Sequence, residues 1–205
     1  LGHRPLVAPL LTPEPLPAAI DMAGIVAVAV TSARTVTFLP EAVRRAMQDL
    51  PVFAVGDRTA AALRDQGVSD VRAAGADVSA LADLIRRAGL PRGGLVLHPG
   101  GEDRAGDLAG DLAADGLGVV TVAIYRMVAT PRLPRTVREA LAAGRIDAVL
   151  HYSPRSARVF ADLAMAAGLS EAARRPLHAC LSPAVAAALE PLAAPRVIPS
   201  DRPDE

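Results

Sequence analysis

Short apolar segments that alternate with Ala- and Leu-rich segments restrict this chain to one class of fold. The apolar segments consist mainly of Val, Ile and Leu, as in strands buried on both faces of a sheet. Between most of them, Ala and Leu recur at positions i, i+3 and i+4, the spacing of an amphipathic helix. Strands that alternate with helices form a parallel sheet with right-handed crossovers. The predicted fold class is therefore α/β.

The predicted elements follow one another at regular intervals. The strand candidates cover residues 6–11, 25–30, 51–55, 71–74, 95–98, 119–125, 147–152, 177–181 and 196–198. The clearest helical patterns cover residues 59–65, 78–88, 105–114, 136–143, 156–167 and 184–192.

Two extended segments depart from this alternation. Residues 6–16 contain Pro9, Pro13 and Pro15, so they cannot be helical throughout or lie inside a sheet. Residues 121–131 are also extended and end in Thr-Pro. We interpret the two segments as linker strands between two domains. One domain is discontinuous and comprises residues 1–12 and 128–205; residues 13–127 form the inserted domain.

An internal repeat supports this division. The segment 30–34 (VTSAR) recurs as 151–155 (HYSPR), and 52–63 (VFAVGDRTAAAL) recurs as 178–189 (HACLSPAVAAAL). The order and spacing agree in both halves, which indicates a duplication. The discontinuous domain has fewer strand candidates than the other. We therefore expect it to be truncated at both ends, without a strand and helix before residue 1 and without a closing helix after Pro199.

The composition argues against several function classes. The formal net charge is zero, which gives no electrostatic reason to expect nucleic acid or a membrane surface as a partner. Cys180 is the only cysteine, so neither a disulfide framework nor a zinc site is expected. No apolar run reaches transmembrane length and no signal peptide is visible. We predict a cytoplasmic monomer.

Five turns at strand ends are the candidate ligand-binding segments. Ligands of parallel sheets bind at the carboxyl ends of the strands, where the free N–H groups of the next helix attract anions. The turns include residues 31–34, 55–59, 99–104, 152–156 and 181–184, and several carry Arg or a hydroxyl group. A ligand with several carboxylates or phosphates fits this pattern. The alternative is that Ser32, Ser153 and Ser182 are ordinary helix caps.

Other motifs give weaker signals. Gly100-Gly101 is not followed by Gly-Lys-Ser/Thr, and no GxGxxG follows a strand, so a nucleotide is not indicated. His98, His151 and His178 lie near strand ends without the spacing of metal ligands, and we interpret them as structural.

Six short motifs, in this order, resemble those of one enzyme family, uroporphyrinogen-III synthase. They are Val30-Thr31-Ser32, Val55-Gly56-Asp57-Arg58-Thr59-Ala60, the helix start Gly101–Arg104, the strand end Val122–Tyr125, Ser153-Pro154 and the turn Ser182–Ala186. The resemblance covers nearly the whole chain. One departure is that the family often has Thr directly after Gly-Pro in the last turn, where this chain has Ala184 and Val185.

The resemblance implies two flavodoxin-like domains joined by a two-stranded linker, with the active site in the cleft between them. It implies cyclisation of hydroxymethylbilane, a flexible linear tetrapyrrole with many carboxylates, to uroporphyrinogen III. Water is lost, the last pyrrole ring is inverted, and neither a cofactor nor a metal is needed.

On this basis, we expect Tyr125 to act on the leaving hydroxyl from an exposed position in the cleft. The expected substrate-binding residues are Thr31, Ser32, Arg34, Gly56, Thr59, Gly100, Gly101, Ser153, Arg155, Ser156, Ser182, Pro183 and Ala184. Two alternatives remain: a non-catalytic tetrapyrrole- or anion-binding domain on the same fold, and a two-domain solute-binding protein.

Overall fold

The structure is a computed structural model and describes residues 2–75, 77–103 and 106–200. The strands are β1 (Leu11–Pro15), β2 (Ile25–Val30), β3 (Val52–Ala54), β4 (Val71–Ala73), β5 (Leu95–Gly101), β6 (Gly118–Ala129), β7 (Ala148–His151), β8 (Leu177–Cys180) and β9 (Val197–Pro199). The helices are α1 (Ala33–Phe38), α2 (Glu41–Ala46), α3 (Asp57–Asp65), α4 (Val78–Arg87), α5 (Leu108–Leu112), α6 (Arg135–Ala142), α7 (Pro154–Ala166), α8 (Ser170–Arg174) and α9 (Pro183–Ala187). The predicted α/β class with parallel sheets is confirmed.

The chain divides into two compact units. Unit 1 consists of Leu1–Thr12 and Val128–Glu205, and unit 2 of Pro13–Met127. Both boundaries fall within strands, the first in β1 and the second in β6.

A six-stranded sheet in the order β1-β6-β5-β2-β3-β4 is the framework of unit 2. Parallel pairing joins β2 to β3, β3 to β4, β2 to β5 and β5 to β6. The chain moves outward from β2 to β4 and then returns to the other side of β2 for β5. Because of this reversal, right-handed crossovers place helices on both faces of the sheet.

Alternate side chains of the central strand β2 point to opposite faces of the sheet. Val28 and Val30 belong to one apolar cluster, together with residues of α1, α2 and α3. Ala27 and Ala29 belong to the other, with residues of α4 and α5. The sheet of unit 2 is therefore buried on both sides, as its continuous run of apolar residues requires.

Unit 1 contains a three-stranded parallel sheet in the order β7-β8-β9. One face bears His178 and Cys180 and packs on α6, α7, α8 and α9 through a single apolar cluster. The residues that alternate with these point to the opposite face, where Leu150 is 61% and Ile198 57% exposed. Among the described residues of this unit, each new strand is added on the same side of the previous one. Right-handed crossovers therefore place all the helices between these strands on one face of the sheet.

The strand predicted at residues 6–11 was misplaced. The observed strand β1 begins at Leu11 and includes Pro13 and Pro15. It lies at the edge of the sheet, where a proline that lacks an N–H does not break a ladder of hydrogen bonds. Hydrogen bonds from Leu16 N to Ile124 O (2.9 Å) and from Thr130 N to Leu10 O (2.9 Å) show that it runs antiparallel to β6.

Candidate functional site

The turn after β2 contains three of the predicted binding residues. Ser32 caps α1, and its Oγ accepts a hydrogen bond from Arg34 N at 3.2 Å. The Oγ1 atom of Thr31 lies 3.2 Å from Nε2 of His98 on the neighbouring strand β5. The exposed Arg34 guanidinium donates from Nη1 to the sulfur of Met127 at 3.6 Å. Ser32 thus has the capping role that we considered as an alternative, and Arg34 offers an exposed positive charge.

The turn after β3 offers backbone groups rather than side chains for ligand binding. Gly56 is the N-cap of α3 in an extended conformation, and Thr59 N donates to Gly56 O at 3.1 Å. The Thr59 side chain is buried, whereas Asp57 is exposed in the first helical turn. The N–H groups at the start of this nine-residue helix could attract an anion, but the carboxylate of Asp57 would oppose it.

The prediction of a Gly-rich turn and helix start at residues 99–104 was wrong. Gly100 and Gly101 belong to β5 and pair with Ala123 and Tyr125 of β6 across a register shift. The next helix, α5, begins only at Leu108, with Asp107 as its N-cap. Arg104, the last residue of the predicted motif, lies outside the described residues.

Gly101 allows the close approach of an aromatic ring. A Cβ atom at this position would lie 3.1 Å from Cε2 of Tyr125 and 3.2 Å from its hydroxyl oxygen. Glycine is therefore required at position 101 by the packing of the Tyr125 ring on the strand, and not by a turn.

The expectation that the Tyr125 ring is exposed was also wrong. Tyr125 is only 6% exposed and belongs to an apolar cluster of unit 2. Its ring stacks on Phe38, with the ring centroids 5.1 Å apart and the planes inclined by 27°. The strand end was located correctly, but the ring packs back onto α1 and Gly101.

The turn after β7 is the most strongly hydrogen-bonded of the candidate turns. Ser153 caps the 13-residue helix α7, and its Oγ accepts from Ser156 N at 3.2 Å. The Ser156 hydroxyl lies 2.8 Å from Ser153 Oγ and 3.0 Å from Ser153 O. Arg155 is exposed beside this cap. The turn is a rigid helix start with a guanidinium at its surface.

The turn after β8 has a similar cap on a shorter helix. Ser182 Oγ accepts from Val185 N at 3.4 Å, and Pro183 occupies the first position of the five-residue helix α9. Pro183 and Ala184 are exposed. The turn therefore offers backbone groups and a hydroxyl, and it has no charged side chain.

Two buried histidines lie beneath the turns of unit 1. His151 Nε2 is 2.9 Å from His178 Nδ1, and His178 Nε2 is 2.9 Å from Ala173 O. Burial lowers the pKa of His151 to about 4, with a smaller contribution from His178. Burial lowers the pKa of His178 as well, although its hydrogen bond to Ala173 O acts in the opposite direction. Both imidazoles are therefore neutral at pH 7.

The strand order brings certain candidates together within each unit. In unit 2, β3 and β5 flank β2, so Thr31, Gly56 and Gly101 lie at the same edge of the sheet. In unit 1, β7 and β8 are neighbours, which places the Ser153 and Ser182 turns side by side.

Sequence reasoning missed the contacts of all three strand histidines. His98 contacts the candidate residue Thr31, and His151 and His178 contact each other. Their nearness to strand ends was the available signal, but a pair 27 residues apart has no local spacing to reveal it.

Neither a metal centre nor a membrane span is found in the described part of the chain. No three His, Cys, Asp or Glu residues lie close enough there to hold a metal ion. No helix of that part is sufficiently long and apolar to cross a bilayer.

Comparisons with known proteins give a consistent result. The family model "HEM4: Uroporphyrinogen-III synthase HemD" matches residues 1–205. The fold is similar to the crystal structure of uroporphyrinogen-III synthetase from Helicobacter pylori 26695, with 17% identity, coverage of 98% of this chain and 91% of that chain, and a TM-score of 0.65. A mutant uroporphyrinogen III synthase from the extremely thermophilic bacterium Thermus thermophilus matches with 20% identity, coverage of 98% and 86%, and a TM-score of 0.50. No curated protein matches the sequence significantly.

Proposed function

The chain belongs to the uroporphyrinogen-III synthase family, whose members are hydro-lyases of porphyrin and haem biosynthesis, and from this premise we propose how its own residues carry the reaction. Hydroxymethylbilane is cyclised to uroporphyrinogen III with loss of water and inversion of the terminal pyrrole ring. The observation that carries this assignment is the family match over the whole chain. A match of that extent does not favour a non-catalytic binding domain.

The chemistry requires positioning more than reactive groups. A hydroxyl must leave the substrate, and the resulting azafulvene must be kept away from water. The substituted carbon of the terminal ring must then attack, because closure without the enzyme gives the isomer without inversion. Holding the two ends of a flexible chain in this arrangement lowers the barrier through orientation, and a proton donor assists the departure of the hydroxyl.

The helix starts of both units bind the substrate carboxylates in this proposal. Arg34 and Arg155 are exposed beside Ser-capped helix starts, where a carboxylate would meet both a guanidinium and backbone N–H groups. The α7 turn is the stronger of the two, because its helix is longer and its cap is held by Ser156. The remaining binding residues in the proposal are Thr31, Ser32, Gly56, Thr59, Gly100, Gly101, Ser153, Ser156, Ser182, Pro183 and Ala184.

Tyr125 is the proposed donor to the leaving hydroxyl. Its phenol O–H can donate a hydrogen bond to the leaving hydroxyl. The stacking on Phe38 and the contact with Gly101 support the proposal by restricting the ring to one orientation. A donor that is already oriented loses little entropy when the substrate binds.

The finer architecture in the proposal is two flavodoxin-like domains joined by a two-stranded linker. Hydrogen bonds from Leu16 N to Ile124 O and from Thr12 Oγ1 to Val128 O (3.4 Å) support the pairing of the linker strands. The exposed Leu150 and Ile198 show that one face of the sheet of unit 1 is not covered by the described residues. The protein acts as a monomer, without a cofactor and without a nucleic-acid partner, in this proposal.

The product isomer tests the function. We expect the protein, supplied with freshly generated hydroxymethylbilane, to yield the type III isomer, and EDTA to leave the rate unchanged. Exclusive formation of the spontaneous type I isomer would contradict the proposal. Loss of activity with EDTA would contradict the metal-free mechanism.

The two exposed arginines provide a test of the carboxylate sites. Arg34→Ala and Arg155→Ala should each weaken uroporphyrinogen III binding more at low salt than at high salt, because exposed charges are screened over about 8 Å at physiological ionic strength. Arg→Lys should restore affinity only partly, since Lys lacks the planar fork of Arg. Calorimetric titration measures both effects, and Arg158→Ala, on the exposed surface of α7, is the control. Unchanged affinity in both variants would remove the arginines from the site.

The proposed role of Tyr125 is tested by removal of its hydroxyl. Tyr125→Phe retains the ring that stacks on Phe38, so the free energy of unfolding should change little. The rate should fall on the order of tenfold, which corresponds to about 1.4 kcal/mol of barrier. Phe38→Leu is the control for ring orientation: it retains the hydroxyl but removes the stack. A rate unchanged in Tyr125→Phe would make the tyrosine a packing residue only.

A further inference from the structure

The two buried histidines of unit 1 form one directional chain of hydrogen bonds. Ala173 O can only accept, so Nε2 of His178 carries its hydrogen. In the neutral ring, Nδ1 of His178 is then an acceptor, and His151 must donate to it from Nε2. The chain runs from His151 through His178 to the backbone of α8, with both hydrogen bonds at 2.9 Å. The network itself thus assigns one tautomer to each ring.

The pair lies where the two candidate turns of unit 1 are held together. His151 is the last residue of β7, and its carbonyl oxygen accepts from Leu181 N at 2.9 Å. Ser153 follows two residues later and Ser182 directly follows Leu181, so this backbone contact joins the bases of the two turns. The His151 ring also packs against Phe160 of α7, with a centroid distance of 5.4 Å.

Packing alone does not require histidine at these positions. The internal repeat aligns His151 with Val30 and His178 with Val52 of unit 2. Both valines are fully buried in the corresponding core. Two apolar side chains therefore suffice there, whereas two buried imidazoles lose hydration and need partners. A polar pair in place of valines can specify one relative arrangement of the elements that it joins.

We propose that His151 and His178 are positioning residues, which fix the separation of the Ser153 and Ser182 turns so that both can bind carboxylates of the same tetrapyrrole. The inference rests on the proposed function, because that function makes these turns carboxylate sites. Neither histidine contacts the substrate; they act through the ends of β7 and β8.

Three variants separate positioning from stability. His151→Phe removes the donor and leaves Nδ1 of His178 buried without a partner. His151→Gln retains an N–H donor at a similar reach. His151→Phe/His178→Phe replaces both partners by apolar rings, which is often nearly neutral for folding. Folding is checked by circular dichroism and urea unfolding at 25 °C, and KM and kcat are measured on the folded protein.

The double Phe variant should fold and yet show a KM raised about fivefold, the factor associated with one ordinary hydrogen bond, while kcat stays within twofold. His151→Gln should restore KM to within twofold of the original value. A folded double variant with unchanged KM would overturn the inference, even if its stability had changed.

Binding of uroporphyrinogen III distinguishes this outcome from failure of the proposed function. If the original protein makes no type III isomer, the proposed function fails, and the Kd for uroporphyrinogen III in the same variants still tests the positioning role. A Kd raised about fivefold in the double variant and restored by Gln supports it. An equal Kd in all variants, or no binding by the original protein, overturns it.

Discussion

The two units differ in how completely helices cover the faces of their sheets. In unit 2 the chain adds β3 and β4 on one side of β2 and then β5 and β6 on the other side. Apolar clusters bury both faces of the resulting sheet. In unit 1, β7, β8 and β9 follow one another without a reversal, and one face bears the exposed Leu150 and Ile198. The exposed Leu150 and Ile198 are as apolar as the residues buried in unit 2, so the difference comes from topology rather than from hydropathy. Among the described elements, a second layer of helices is found only in unit 2, where the order of strand addition reverses at β2.

The largest expected effect tests the buried face against the exposed one with the same substitution. Leu97→Ala, at a fully buried position of β5, should lower the free energy of unfolding by about 2–5 kcal/mol. Leu150→Ala, in the exposed position of β7, should change it by less than about 0.5 kcal/mol. Urea unfolding of both variants measures the difference. A comparable loss for Leu150→Ala would mean that this face is covered in solution.

Acid should affect unit 1 through its histidine pair. The folded pKa of His151 is lowered to about 4 and that of His178 is lowered too, whereas both should titrate near 6.5 in the unfolded chain. The unfolded state therefore binds protons first. The stabilisation of the folded state that comes from keeping these imidazoles neutral is complete above pH 6.5 and is lost as the pH falls toward 4. For His151 it amounts to roughly 3 kcal/mol.

The double variant His151→Phe/His178→Phe isolates this effect. Other titratable groups on the elements around the pair include Cys180 on β8, whose thiol pKa is raised by burial, and the exposed ion pairs Arg158–Asp162 on α7 and Arg174–Glu171 on α8. The difference in unfolding free energy between the original protein and the variant should narrow or reverse between pH 7 and 4.5. A pH-independent difference would show that the imidazoles do not titrate as a buried neutral pair.

The smallest expected effect compares the helix caps of the two units. Ser153→Ala removes a cap from the 13-residue helix α7, and its Oγ also contacts Ser156. We expect a loss of about 1 kcal/mol in the free energy of unfolding. Ser32→Ala removes the cap of the six-residue helix α1, and we expect about half that loss, since a shorter helix has less structure that depends on its cap. Equal losses in urea unfolding would remove this distinction between the units.

Local patterns predicted the strands well where the strands are short and wholly apolar. The run 25–30 became β2 at the predicted residues, because a short continuous apolar run rich in Val and Ile suits a central strand that is covered on both faces. The helices α2 and α8 were not predicted, since each has only five or six residues and lacks a full apolar period. The extension of β5 through Gly100-Gly101 was missed, because its pairing with β6 outweighed the turn preference of glycine.

The candidate site was less predictable than the fold. The Ser-capped turns at 32, 153 and 182 followed from local chemistry, since a serine after a strand and before a helix has an obvious partner. The direction of the Tyr125 ring depends on Phe38, far away in sequence, and no local pattern encodes it. The functional roles of these residues stay predictions.

The contact between Gly101 and Tyr125 limits how the two positions can vary in evolution. An alanine at 101 would place its methyl carbon about 3.1 Å from the ring, closer than ordinary contact. A chain that acquired a side chain at this position would have to accept a smaller residue at 125 or move the ring off Phe38. The two positions should therefore change together in descendants of this sequence, and a library randomised at both should yield folded pairs more often than independent variation allows.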